Sequence, residues 1–173
     1  MIASDIHGSA FWCRRMLEAF DREGAERLML LGDVLYHGPR NPLPDGHAPM
    51  EVAAMLNERA GRIFAVRGNC DAEIDQMVLQ FPIMADYALL FIGSRLIVAA
   101  HGHILPALSP GDVLVQGHTH LPSWERSEKG VLVLNPGSVA IPKDGTPHAC
   151  ILLDEDGAEW KTTDGEVFHR IRF

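Results

Sequence analysis

The sequence predicts an α/β fold of two facing β-sheets with helices outside, organised as one domain over residues 1–173. Three observations carry that reading. Up to residue 66, short apolar runs alternate with stretches of helical spacing, a β-α-β-α-β pattern that implies parallel strands joined by right-handed crossovers. From residue 88 onward, candidate strands follow one another with few helical stretches between them, which a second sheet facing the first would accommodate. Finally, five of the segments end on carboxylate, amide or imidazole groups, and open α/β sheets gather their ligands beyond the carboxyl ends of strands.

Residues 1–4 read as a short buried strand, and Ser9 is placed to cap a helix whose apolar positions Trp12, Met16, Leu17 and Phe20 recur at helical spacing until Gly24. Residues 28–31, Leu-Met-Leu-Leu, form a continuous apolar run, the form of a strand covered on both faces. Four prolines and two glycines make residues 36–49 a loop. A second helix is expected over 50–60, presenting Val52, Met55 and Leu56 and stopped by Gly61, with a strand over 63–66. Strands over 88–92 and 95–100 flank Gly93-Ser94, a two-residue hairpin signal. Further strands are expected over 113–116, 131–134, 149–153 and 167–171.

The polar punctuation starts at once, with Ala3-Ser4-Asp5-Ile6-His7-Gly8. In extended chain, residues i and i+2 share a face, so Asp5 and His7 put hard oxygen beside imidazole nitrogen, a pair suited to a divalent metal. The same chemistry returns at Gly32-Asp33, Gly68-Asn69-Cys70-Asp71, His101-Gly102-His103 and Gly117-His118-Thr119-His120. Gly32, Gly68, Gly102 and Gly117 each stand beside a candidate ligand, where a missing side chain lets the backbone turn and a metal approach.

In these five motifs the sequence resembles the calcineurin-like metallophosphoesterases, and the likeness covers most of the chain. Within that family His37-Gly38-Pro39-Arg40-Asn41, Ala65-Val66-Arg67-Gly68-Asn69-Cys70-Asp71 and Asn135-Pro136-Gly137-Ser138 resemble the small bacterial phosphodiesterases of the YfcE type. The resemblance implies a two-sheet αββα sandwich and a dinuclear centre: one metal on Asp5, His7 and His120, a second on Asn69, His101 and His118, and Asp33 bridging both. It further implies a hydroxide held between the metals as nucleophile. Asp33 and Asn69 would serve catalysis through that centre, with His103 beside it either supporting a ligand or in contact with phosphate. His37, Arg40, Asn41 and Arg67 are the expected substrate contacts, and residues 135–138 a tight turn supporting the ligands. Manganese leads the implied metals, although an oxygen and imidazole set without thiolate also suits iron, nickel or zinc. The same fold is similar to that of the retromer's small scaffold subunit, so a docking protein competes with the hydrolase, as do a phosphomonoesterase and a nuclease. All seven ligand positions are filled here, which favours catalysis.

Two departures bear on function. Cys70 stands where many relatives have a histidine able to protonate the leaving oxygen, and a neutral thiol is a poor donor. The connection from His103 to Gly117 is short and contains Pro106, Pro110 and Gly111, either a trimmed loop or one missing a segment. The few residues before Asp5 give the first strand little length, and a start slightly upstream would lengthen it. His47, His148 and His169 have no partner at a useful spacing and are expected at the surface or in loops.

Bulk properties bound the rest. Hydrophobic residues make up 47% of the chain, enough for a core, while a net charge of −8 argues against non-specific nucleic-acid binding. Three scattered cysteines suggest neither a disulfide framework nor a thiolate zinc site, and the cytoplasm suits them best. No run is long and apolar enough to cross a membrane. The expected partner is a small phosphodiester, with a homo-oligomer left open.

Overall fold

The computed structural model describes residues 1–173. In chain order the elements are β1 (Ile2–Ala3), α1 (Ala10–Arg22), β2 (Leu28–Leu30), α2 (Pro49–Asn57), β3 (Ile63–Ala65), α3 (Glu73–Gln76), β4 (Tyr87–Ile92), β5 (Arg95–Ala100), β6 (Val113–Val115), β7 (Pro122–Arg126), β8 (Leu132–Pro136), β9 (Ala149–Leu153), β10 (Gly157–Thr162) and β11 (Val167–Arg172). They build two mixed sheets, one in the order β11-β10-β9-β1-β2-β3 and the other β4-β5-β6-β8-β7. Strands β1, β2 and β3 run parallel, as do β5, β6 and β8. The last three strands return to pair antiparallel beside β1, so both halves of the chain share the first sheet.

Alternation along β2 shows why its sequence is apolar throughout. Leu28 and Leu30 face the helices with Cys13, Met16, Phe20, Val52 and Leu56, whereas Met29 and Leu31 face the second sheet with Ile97, Val113, Val115 and Leu134. The Ser9 hydroxyl accepts from the Trp12 N–H at 3.1 Å and caps α1, and Pro49 opens α2 where no amide donor is needed. On the outer side of the second sheet, Leu108 and Val133 pack over Val98, Ala100, Leu114 and Val131. The 104–111 segment is thus an ordered cover, tied down where Gly111 N–H donates to Gly130 O at 3.1 Å.

Several boundaries differ from the sequence expectation. Helix α2 ends at Asn57, and a 3-10 turn, Ala60–Arg62, carries the chain into β3. Strand β8 starts one residue later than expected and runs through Asn135 and Pro136, so only the residues after them turn. Strands β7 and β10 and the single turn α3 were not expected. Strand β7 is an exposed edge that begins on proline, and β10 buries Ala158 and Trp160 while Glu159 and Lys161 point away. The reading of His169 as surface or loop is corrected: it lies in β11 and stacks on Trp124 with ring centroids 3.6 Å apart. His148 stacks on Trp12 in the same way and donates from Nδ1 to Val139 O at 2.8 Å.

Candidate metal centre

The polar residues that follow β1, β2 and β3 meet those that follow β5 and β6, so the carboxyl ends of two sheets close on one volume. Six residues other than glycine have positive φ in this protein: Asp5, His7, Asp33, His118, His120 and Asp144. Five of the six are expected metal ligands. Left-handed backbone costs about 1–3 kcal/mol per residue, least for the short polar types, and such strain gathers at functional sites. Two glycines of the centre are required by close approach alone. A Cβ on Gly117 would run into Ser4 Oγ and come within 2.8 Å of Asp5 Oδ2, and one on Gly68 would strike the Asp33 carboxylate.

Three histidines are locked by their rear nitrogens. Nδ1 of His7 donates to Tyr36 O at 2.8 Å, that of His101 to Leu31 O at 2.6 Å, and that of His120 to Ile141 O at 2.6 Å. A carbonyl only accepts, so each Nδ1 carries the proton and each Nε2 offers a lone pair. These lone pairs converge at two foci. In the first, Nε2 of His7 and Nε2 of His120 face each other at 3.2 Å, with Asp5 Oδ1 3.5 Å and 3.3 Å away from them. In the second, His101 Nε2 meets Asn69 Oδ1 at 3.0 Å and His118 Nδ1 at 3.2 Å. Asp33 Oδ2 stands between the foci, 3.7 Å from His7 Nε2 and 3.5 Å from His101 Nε2. Asp5 Oδ1 is buried and has no hydrogen-bond donor.

Facing acceptors repel unless positive charge lies among them, so this donor set fits divalent cations. Protons answer the same need: burial would raise the Asp5 carboxyl, but the His120 and His7 imidazoles beside it, once protonated, outweigh burial and hold Asp5 well below the usual carboxylate range. Burial would lower His7, yet Asp5 beside it raises it overall. His118 is lowered, first by burial and then by His101.

Asp71, the last residue of the Gly-Asn-Cys-Asp motif, braces the centre from behind. Its Oδ2 accepts the N–H groups of Asp33 (2.8 Å) and Gly68 (2.7 Å), and its Oδ1 that of Val34 (2.9 Å). One buried carboxylate therefore ties the turn after β2 to the turn after β3. Burial pushes its carboxyl up, and the nearby charge of Asp33 adds to that. On the other side, Asn135 Nδ2 donates to Gly117 O at 2.8 Å and Ser138 Oγ to Asp5 O at 2.8 Å, bracing two more ligand loops.

A polar cavity of about 390 Å³ opens over the centre, lined by Asp33, Gly38, Pro39, Arg40, Asn41, Asn69, Cys70, His118, His120 and Lys143. Arg40 and Asn41 thus line it as expected, and Lys143 joins them unforeseen. Arg67, His37 and His103 do not: Arg67 Nε donates to Asp71 O at 3.4 Å, the His37 ring packs edge-on to Tyr36 and His47, and the His103 ring lies 5.3 Å from that of His101. The Cys70 thiol is pushed up to about 12, by burial first and by the Asp33 carboxylate next. A larger groove of about 820 Å³ lies by the opposite ends of β1, β2 and β3, lined by apolar groups such as Phe64, Leu90 and Phe91. Size favours that groove, but it holds no cluster of metal-ligating groups, and the chemistry belongs to the smaller cavity.

Comparison with known proteins agrees with the fold. Residues 1–158 match the calcineurin-like phosphoesterase superfamily domain. The chain is 52% identical over 161 residues to phosphodiesterase YfcE of Escherichia coli K12, covering 90% of this chain and 87% of that one. It is also 28% identical over 172 residues to the probable metallophosphoesterase YsnB of Bacillus subtilis, covering 91% and 86%. The solved structure of Yfce, a phosphoesterase from E. coli, superposes with a TM-score of 0.93 at 47% identity, covering 99% and 97%. Vacuolar protein sorting 29 from Cryptosporidium parvum shares the fold at 20% identity, with a TM-score of 0.63 and coverage of 99% and 95%. The chain belongs to the calcineurin-like phosphoesterase superfamily.

Proposed function

We propose that this protein is a phosphodiesterase working through two divalent cations, with Asp5, His7 and His120 as ligands of one, Asn69, His101 and His118 as ligands of the other, and Asp33 shared. The observation that carries this reading is the convergence of lone pairs at two foci joined by Asp33 Oδ2, with Asp5 Oδ1 buried and unpartnered. The name carried by the relative at 52% identity, phosphodiesterase, supports the reaction class.

When bound, the cations supply a hydroxide at neutral pH and draw charge from the phosphoryl oxygens. The remaining work falls to the chain. Carbonyls behind His7, His101 and His120 hold the imidazoles in one tautomer, and Asp71 holds the Asp33 and Asn69 turns at a fixed separation. Asp33 Oδ1 accepts the Cys70 N–H at 2.8 Å, which leaves Oδ2 to face both foci. Arg40 and Asn41 line the cavity where oxygens of the substrate would be received. His103 stands beside His101 outside the cavity lining, and burial first and His101 next lower its pKa, which favours the neutral imidazole. Cys70 stays a neutral thiol and gives the departing alcohol little acid assistance. Manganese is our first choice of metal, and the cytoplasm our assignment for a chain with three unpaired cysteines.

Metal analysis joined to a substrate panel tests the proposal. Purified protein supplemented with Mn should bind two ions per chain and hydrolyse bis(4-nitrophenyl) phosphate well ahead of 4-nitrophenyl phosphate. Far less than one bound ion together with no hydrolysis of either ester would overturn it in favour of a docking protein. Preference for the monoester would leave the metals and remove the diester.

A further inference from the structure

The cavity over the centre is polar to an unusual degree. Of its ten lining residues only Cys70 is hydrophobic. No Phe, Tyr or Trp side chain reaches it, and Tyr36, close in sequence, is not among them. A nucleobase is commonly held by stacking on such rings, and here the only aromatic rings in the lining are the imidazoles of His118 and His120, both candidate metal ligands.

Its cations are the second observation. Arg40 sits in the loop after β2 and Lys143 in the turn after β8, so two separate segments each bring one positive charge to the same cavity. Neither forms an ion pair with any carboxylate of the chain, although the protein has 23 acidic residues against 15 basic ones. Both backbones are fixed. Lys143 N–H donates to His120 O at 3.4 Å and its carbonyl accepts from Thr146 N–H at 3.0 Å, while Asn41 Nδ2 holds His37 O at 2.9 Å. Lys143 is therefore coupled to a candidate ligand rather than carried on a free strap.

The balance of charge gives the third step. A scissile phosphodiester carries one negative charge. Two divalent cations, offset by Asp5 and Asp33, leave two positive charges, which that ester and a hydroxide already match. Arg40 and Lys143 then remain over.

We infer that the substrate is a phosphodiester bearing a second fixed anionic group, a phosphate or a carboxylate, on one of its alcohols, received between Arg40 and Lys143, with no nucleobase required. This deepens the phosphodiesterase reading and rests on it. A polar ester of a phosphorylated sugar or polyol has the chemistry described; a nucleoside cyclic monophosphate, with one charge and a base to stack, does not.

The test compares two 4-nitrophenyl phosphodiesters with the same leaving group, one retaining glycerol and the other glycerol 3-phosphate. With the Mn-supplemented protein the phosphorylated ester should be preferred about tenfold in kcat/KM, mostly through KM, as expected for charge-assisted contacts in a partly enclosed site. Lys143→Ala and Arg40→Ala should each shrink that ratio several-fold, and Lys143→Arg should restore it. A second measurement needs no turnover: calorimetry with fructose 1,6-bisphosphate and fructose 6-phosphate should show the bisphosphate binding about tenfold more tightly, a margin that Lys143→Ala removes. A ratio near one in the unaltered protein for the phosphorylated ester and for a carboxylate-bearing counterpart alike, or a ratio that both alanine variants leave intact, would overturn the inference. Should neither ester be hydrolysed, the phosphodiesterase reading fails, and the calorimetric comparison still decides the charge of the ligand. Discrimination that tracked carboxylate-bearing esters instead of phosphorylated ones would fix which of the two anions is meant.

Discussion

Replacing Asp71 by Asn tests the idea that one carboxylate sets the distance between two ligand turns. Asp71 never reaches the two lone-pair foci, so its loss would act only through the backbone. With the amide oxygen in the Oδ2 position, the bonds from Asp33 and Gly68 survive in weaker, neutral form, and the new NH₂ confronts the Val34 N–H. Losing one charge-assisted hydrogen bond and leaving a buried donor facing a donor costs about 2–4 kcal/mol. For a chain of this length that corresponds to a drop in Tm of roughly 5–15 °C. The same change loosens Asp33 and Asn69 together, so Mn affinity measured by calorimetry should fall about tenfold or more in a variant that still folds below its new Tm. Asp71→Ala should be worse on both counts. An Asp71→Asn protein with unaltered Tm and unaltered Mn affinity would refute the reasoning, and lost stability with full affinity would confine Asp71 to folding.

Other perturbations separate the parts of the centre. If the proposed two-cation centre holds, Asp33→Asn should bring bound metal down from two ions per chain toward none and abolish turnover, whereas His7→Ala and His118→Ala should each retain about one ion; elemental analysis beside kcat checks the order, and near-full activity with two ions in Asp33→Asn would disprove the shared ligand. Gly117→Ala should destabilise the protein by about 1–3 kcal/mol and weaken metal binding, because its Cβ collides with Ser4 and Asp5, while Gly61→Ala, with nothing within 4 Å, should leave urea midpoint and metal content as they were. Cys70→His should raise kcat/KM on an alkyl diester by at least ten times more than on an aryl diester at equal metal occupancy, since acid assistance contributes about 10²–10⁴ only where the leaving group is poor. An unchanged ratio would remove that argument, and a dead Cys70→Ser with both metals bound would mark the thiol as a direct participant.

Legibility followed how local each signal is. Helix α1 was readable from Ser9 to Gly24 because its cap, its apolar stripe and its stop all lie within its own segment. Strand β2 was readable because burial on both faces writes itself as an unbroken apolar run. Strand β10 followed the other rule, Ala158 and Trp160 inward and Glu159 and Lys161 outward, and a search for continuous runs passed over it. Strand β7 offered less still, an edge strand opened by Pro122 and closed by Glu125 and Arg126. The stacks of His148 on Trp12 and of His169 on Trp124 join distant segments and leave no spacing to find. Lys143 was hidden for the same reason, since only the fold brings the turn after β8 over the loop after β2. Asp71 was within reach: a short acidic side chain in a turn commonly accepts backbone N–H groups, and the motif already placed it two residues past Asn69.

The strained backbone explains why the ligand motifs look as they do. An apolar run followed directly by Asp or His marks the residue where a buried strand stops and the chain turns through left-handed space, a turn that Asp, Asn and His tolerate better than branched side chains. Such turns hold only where neighbours overdetermine them. Asp5 N–H donates to Gly32 O at 3.2 Å, His7 N–H to Asp33 O at 2.8 Å and Gly8 N–H to Val34 O at 2.9 Å, so the loop after β1 continues the parallel ladder with the loop after β2 beyond the last strand residue. Val139 N–H closes the other side on Ser4 O at 2.9 Å. The cost of left-handed conformations and facing lone pairs is thereby borne by hydrogen bonds that a bound cation does not have to create. In the proposed centre the seven donors are held in advance, and cation binding, which would favour the folded state alone, would add its free energy to a frame already set.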